Sequence, residues 1–129
     1  MDNLDLLAAE AAGAIVRDTI DPGGHRATDV ENLATKALGV LQENGPYAAM
    51  LFLYSRPKTD EQIARPIREQ LLDVAAKTLH VGIVGHEVDQ GLHFVAGITA
   101  ADLEFLLLVK QLWEQTLIYT RYGAKAHKE

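Results

Sequence analysis

At 129 residues and 48% hydrophobic content, the chain has the length of one domain and too much apolar material for disorder throughout. Twelve Lys and Arg against eighteen Asp and Glu leave a net charge of −6, which disfavours a protein that coats nucleic acid indiscriminately; any polyanion contact has to use a local cluster. With no cysteine there is no disulfide, thiol nucleophile or Cys-based zinc site.

The start, Met1-Asp2-Asn3-Leu4-Asp5, is acidic where a secretory or organelle signal is basic, and no apolar run approaches the ~20 residues that span a bilayer. A soluble, cytoplasmic protein is expected. Leu4, Leu7, Ala8, Ala11, Ala12, Ile15 and Val16 form one stripe at three- and four-residue spacing, an amphipathic helix that stops before Asp21-Pro22-Gly23-Gly24. Thr28-x-x-Glu31 reads as a capping box for a second helix with Leu33, Ala37, Val40 and Leu41 inward. Asn44-Gly45 closes that helix, and Pro46 opens a third, apolar nearly all round, over 47–55.

Thr59-x-x-Gln62 is a second capping box. The helix behind it carries Ile63, Ile67, Leu71, Val74 and Ala75 inward and Arg65, Arg68, Asp73 and Lys77 outward, with its firm part beginning near Pro66. Residues 81–97, with four glycines and five β-branched residues, are expected to be irregular with a helical turn or two. Thr99-x-x-Asp102 resembles a third cap, and the last helix runs to about Ala124. Phe105, Leu108, Leu112 and Tyr119 give it one apolar face, and Leu106, Leu107, Trp113 and Leu117 a second. The expected fold is an all-α, compact single-domain bundle of about five to six helices over residues 1–129, with 119–129 a frayed basic tail.

Motifs for catalysis are sparse. Ser55, the one serine, lacks a nucleophile-elbow context and reads as a helix end. His86-Glu87-x-x-Gln90 has the outline of a zinc-protease helix, but Gln90 stands where the second ligand belongs. His80, His86 and His93 are spaced six and seven apart, which suits no standard tetrahedral site. No catalytic residue, metal or cofactor is expected.

Charge is uneven along the chain. Residues 1–31 hold seven acids and two bases, residues 56–77 five bases and four acids, and residues 105–129 four bases and two acids. Arg56, Lys58, Arg65 and Arg68 surround one loop and helix start; Arg121, Lys125 and Lys128 crowd the last turns, with Tyr119 and Tyr122 among them. Solvated faces and cations complementing a helix C-terminus account for such clusters as readily as RNA contact does.

Two stretches resemble the small subunit of type III-B CRISPR RNA-guided (Cmr) effector complexes. One is Gln42-Glu43-Asn44-Gly45-Pro46-Tyr47-Ala48-Ala49-Met50-Leu51-Phe52-Leu53-Tyr54-Ser55-Arg56: a helix ending in Gly, then a hydrophobic helix stopping at Ser-Arg. The other runs from Phe105-Leu106-Leu107-Leu108-Val109-Lys110-Gln111-Leu112-Trp113 to Ile118-Tyr119-Thr120-Arg121-Tyr122-Gly123. The sequence departs from the family at Ile118 (usually Trp), Val109 (Thr), Gln111 (Glu) and Pro46 (Leu).

The resemblance implies a non-catalytic subunit of an antiviral defence complex. Its copies would stack as a filament beside the crRNA-binding backbone and hold target RNA by its phosphates, while base pairing reads sequence. Arg56, Lys110 and Arg121 carry over as RNA contacts from the resemblance; Lys58, Arg65, Arg68 and Lys125 come from the charge distribution. The implied partners are other effector subunits, further copies of the chain and the crRNA–target RNA, with no membrane or small-molecule substrate. The alternatives are a self-associating helical adaptor that binds only proteins, and a small metal hydrolase using His86 and Glu87.

Overall fold

The computed structural model describes residues 3–128. Among them lie five helices and no strand: α1 (Leu4–Thr19), α2 (Ala27–Tyr54), α3 (Lys58–Thr78), α4 (Val88–Ala101) and α5 (Leu103–Ala126). This is the all-α bundle that the apolar periodicity predicts. None of these helices is long and apolar enough to cross a membrane.

Helix α1 begins where the Asn3 side chain accepts the Leu6 N–H (3.1 Å), and it buries the predicted Ala8, Ala11, Ala12, Ile15 and Val16. Helix α2 contains the predicted break, but its two halves remain joined. Gly45, at φ 90° and ψ −179°, leaves helical geometry in the left-handed region that a side chain disfavours. Pro46 follows it, buried, as the first residue of the second half. That half is less enclosed than its composition suggests: Ala49, Met50 and Leu53 are buried, while Tyr47 and Leu51 are exposed.

Two expected capping boxes do not form. Helix α2 starts at Ala27 and α3 at Lys58, so Thr28 and Thr59 are already inside their helices, and neither helix has a side-chain cap bond. Glu31 instead turns toward Lys125 of α5 and Lys128 just beyond it, and Glu61 toward arginines of its own helix. Ion pairs thus occupy the Glu31 carboxylate, and Pro57 supplies the extended entry to α3 two residues ahead of Thr59. Helix α3 also runs straight through Pro66 rather than beginning there. Arg65 and Arg68 both reach back to Glu61 across that turn.

The stretch expected to be irregular is so only up to residue 87; α4 then holds fourteen residues. Its start is marked by Gln90, whose side-chain oxygen accepts the Glu87 N–H at 3.4 Å, so the pattern that mimics a zinc motif is a helix start. Gly91 lets α4 approach α2: a Cβ there would lie 2.2 Å from the Tyr54 hydroxyl. Asp102 separates α4 from α5, its carboxylate accepting the Glu104 N–H at 2.8 Å. Thr99 belongs to α4, where it donates to the Val95 carbonyl (3.1 Å).

Helix α5 organises the bundle, packing most extensively on α2 and next on α1. Trp113 is wholly buried and donates its indole N–H to the Leu71 carbonyl of α3 at 2.8 Å, among Ile15, Leu41, Leu53, Ile67 and Leu117. The expected frayed tail is instead ordered helix through Ala126: Thr120 and Ala124 are fully buried, and the Tyr119 hydroxyl donates to Asp5 of α1. Thr120, Gly123 and Ala124 turn inward, Gly123 against Val16 of α1, which holds the helix together where composition alone suggested fraying. Glu129 lies outside the described residues. At its other end α5 leaves Leu103, Phe105 and Leu107 exposed, the uncovered part of its two apolar faces.

Candidate nucleic-acid interface

The seven expected contact residues do not form one strip. Arg56, Lys58, Arg65 and Arg68 gather where α2 ends and α3 begins. Arg121 and Lys125 lie at the end of α5, beside the start of α2. Lys110 stands alone midway along α5, half-buried and without an ion pair among the described residues. The first group and the last are thus at opposite ends of α2.

The α2–α3 group is a structural network. Arg68, expected outward, is buried: its Nη1 and Nη2 donate to the two oxygens of Glu61 at 2.7 and 2.8 Å, and its guanidinium lies 4.7 Å from the Tyr54 ring centre. The hydrogen bonds from Arg68 hold the Glu61 carboxyl below its ordinary range, and the same contact raises Arg68. The Tyr54 hydroxyl donates to the carbonyl of His86 (2.7 Å), and burial pushes its own pKa up. The His86 ring in turn sits 2.7 Å from Asp73 and 3.7 Å from Glu69. Together these bonds tie the end of α2, the middle of α3 and the 79–87 loop around an open polar groove of about 480 Å³. Both Nη groups of this buried arginine are committed to Glu61 and its Nε is enclosed without a partner, so no exposed fork is left for a phosphate and Arg68, expected as an RNA contact, is a framework residue.

Its neighbours are partly committed. Arg65, mostly exposed, is 3.4 Å from Glu61. Arg56 folds back on its own helix end, donating Nε to the Phe52 carbonyl (3.0 Å) with its guanidinium 3.8 Å from the Phe52 ring centre. It satisfies a terminal carbonyl and complements the helix dipole. Lys58 is exposed, with no ion pair among the described residues.

The α5 cluster is built differently. Positions 121, 125 and 128 fall about one turn apart on one side of the chain, and the Lys128 N–H bonds the Lys125 carbonyl at 3.2 Å. Lys125 Nζ is 3.6 Å from Glu31, and Lys128 donates to the same carboxylate. The hydrogen bond from Lys128 holds the Glu31 carboxyl below its ordinary range. Arg121 is half-buried, its Nε enclosed with no hydrogen-bond partner. Two lysines therefore share one carboxylate, and Arg121 stands one helical turn before Lys125, a local excess of positive charge on a chain that is negative overall. Lys128 was visible in the charge count but was not among the expected contacts; helical spacing from Arg121 and Lys125 is the signal that adds it.

Among the described residues no three His, Asp or Glu side chains converge as a metal site, and His86 is bonded to the carboxylates of α3. No protein-family model matches the chain, and neither a curated protein nor a solved structure matches it.

Proposed function

We propose that this chain is a non-catalytic small subunit of a cytoplasmic, type III (Cmr-like) CRISPR RNA-guided effector complex, stacking with further copies of itself and contacting target RNA through backbone phosphates. The observation that carries the reading is the cation cluster at and just beyond the end of α5: Arg121 belongs to the stretch resembling that family, Lys125 and Lys128 follow it, and the three carry more positive charge than the one carboxylate the lysines meet. The two stretches of resemblance also lie on α2 and α5, the helices with the most extensive mutual packing, so the sequence pattern coincides with the frame of the fold. A subunit of this kind needs no base-reading surface, since guide–target pairing supplies specificity. A few phosphate contacts per copy suffice when neighbouring copies repeat them along one strand.

The RNA surface in this proposal is Arg121 with Lys125 and Lys128; Lys58, Lys110 and the partly committed Arg56 and Arg65 are peripheral to it. The test is reconstitution of a type III complex with and without this chain. Target-RNA affinity is expected to fall without it and to fall similarly with Arg121→Glu plus Lys125→Glu. Unchanged affinity in both preparations overturns the proposal.

A second reading, an adaptor that binds only proteins, draws support from the exposed Leu103, Phe105 and Leu107 on α5 and from Ile83, fully exposed in the 79–87 loop. It predicts partner binding that is insensitive to salt, together with no salt-sensitive RNA contact.

A further inference from the structure

Among the described residues, Glu31 is the one carboxylate that the α5 cations meet on α2. Its side chain is 12% exposed, against 45% for Lys125 and 39% for Lys128. The two ammonium groups therefore stand on the solvent side of a nearly buried anion, and Arg121, one turn earlier, brings an enclosed Nε that donates to nothing. A carboxylate and a phosphodiester each carry one negative charge and two exposed acceptor oxygens, so either suits lysine donors.

Resting on the RNA reading above, we infer that Glu31 is an internal stand-in for an RNA phosphate: it engages Lys125 and Lys128 in the free protein and competes for them with one phosphodiester of single-stranded RNA held by Arg121. Glu31 then sets how weakly a single copy binds. Isolated copies bind RNA poorly, and useful affinity arises when several copies share one strand. The opposite role is that Glu31 orders the lysines for RNA, since each ammonium has three donors and can hold two anions at once. Competition is favoured because the lysine heads are half-exposed and RNA itself would order them, whereas the negative charge behind them opposes a second anion at any geometry.

The two roles predict opposite signs. The experiment measures binding of an oligouridine to the isolated full chain by fluorescence anisotropy over a range of salt, comparing wild type, Glu31→Gln, Glu43→Gln and Arg121→Gln. Glu43 is exposed on α2 and has no ion pair among the described residues, so it makes the same change in net charge away from the cluster. Competition predicts that Glu31→Gln tightens binding about three- to tenfold and steepens the salt dependence by roughly one phosphate contact, with Glu43→Gln near wild type. Weaker or unchanged binding in Glu31→Gln, with Arg121→Gln still lowering affinity, overturns the competition and leaves the RNA reading standing. Equal tightening by Glu31→Gln and Glu43→Gln also overturns it, because the effect is then net charge alone. No salt-sensitive binding in any of the four overturns both. Glu31→Met, suited to a nearly buried position, repeats the measurement should Glu31→Gln fail to fold, with the same expected sign.

Discussion

Two groups of cations in this molecule face a carboxylate, and they differ in how deeply the cations are buried. In the first, buried Arg68 meets Glu61 through two parallel bonds of 2.7 and 2.8 Å, with exposed Arg65 3.4 Å from the same carboxylate, inside a network that joins three segments. In the second, Lys125 and Lys128 converge from solvent on Glu31 with Arg121 beside them, so positive charge is left over. Pairing of the first kind makes a joint, because separating the partners strands a desolvated charge. Pairing of the second kind makes a surface, because exposed lysines exchange partners at little energetic cost. Counting basic residues along the chain does not separate the two.

The sharpest way to break this contrast is to remove each carboxylate or its partner. Glu61→Gln should destabilise the fold by about 1–2 kcal/mol, because buried Arg68 loses its charged partner although Glu61 itself is partly exposed, while leaving RNA affinity of the assembled complex at the wild-type level. Urea unfolding and RNA binding on the same preparation check both halves; a stable variant with weakened RNA binding would exchange the roles assigned to the two clusters. Arg121→Glu should do the reverse, weakening RNA binding about tenfold or more, or at least 1.4 kcal/mol, with a shallower salt dependence and only a small change in unfolding midpoint.

Acid separates the clusters next. Both Glu61 and Glu31 have carboxyls held below the usual 4.5, the first by Arg68 and the second by Lys128, so each contributes stability above that value and loses it as pH falls through the lowered folded-state pKa. Urea midpoints followed downward from pH 5 should drop in the wild type and drop less steeply in Glu61→Gln, which has no carboxyl left to protonate there. An identical acid limb in both would remove the Arg68–Glu61 pair from the account. The smallest effect is expected from Lys125→Met or Lys128→Met, each changing stability by less than about 1 kcal/mol because one lysine still covers Glu31 and both are well exposed.

Much of the fold was legible from residue spacing. The stripe from Leu4 to Val16, the inward set Ile63, Ile67, Leu71, Val74 and Ala75, and the interruption at Gly45-Pro46 all stand where periodicity and backbone chemistry put them. The misreadings have one character. Thr28 and Thr59 look like caps because Glu31 and Gln62 follow at the right distance, yet the ends of those helices are set by what surrounds them. Residues 88–97 look too glycine-rich for a helix, but Gly91 is the contact that admits Tyr54. Arg68 looks solvated on helical spacing, but it turns inward because Tyr54 and Glu61 offer it a ring face and two oxygens.

Local interactions reach only a few residues, and the periodicity of apolar side chains is itself local. The helical character of the chain, most of its buried faces and its main bend therefore follow from the order of amino acids alone. That Lys125 and Lys128 meet Glu31, by contrast, is a matter of distance in space between residues far apart in sequence. Burial then decides whether such a meeting acts as a fixed joint or as an exchangeable surface, since the cost of separating charges rises as water is excluded. That assignment came from packing α5 against α2, and nothing in the spacing of either helix contains it.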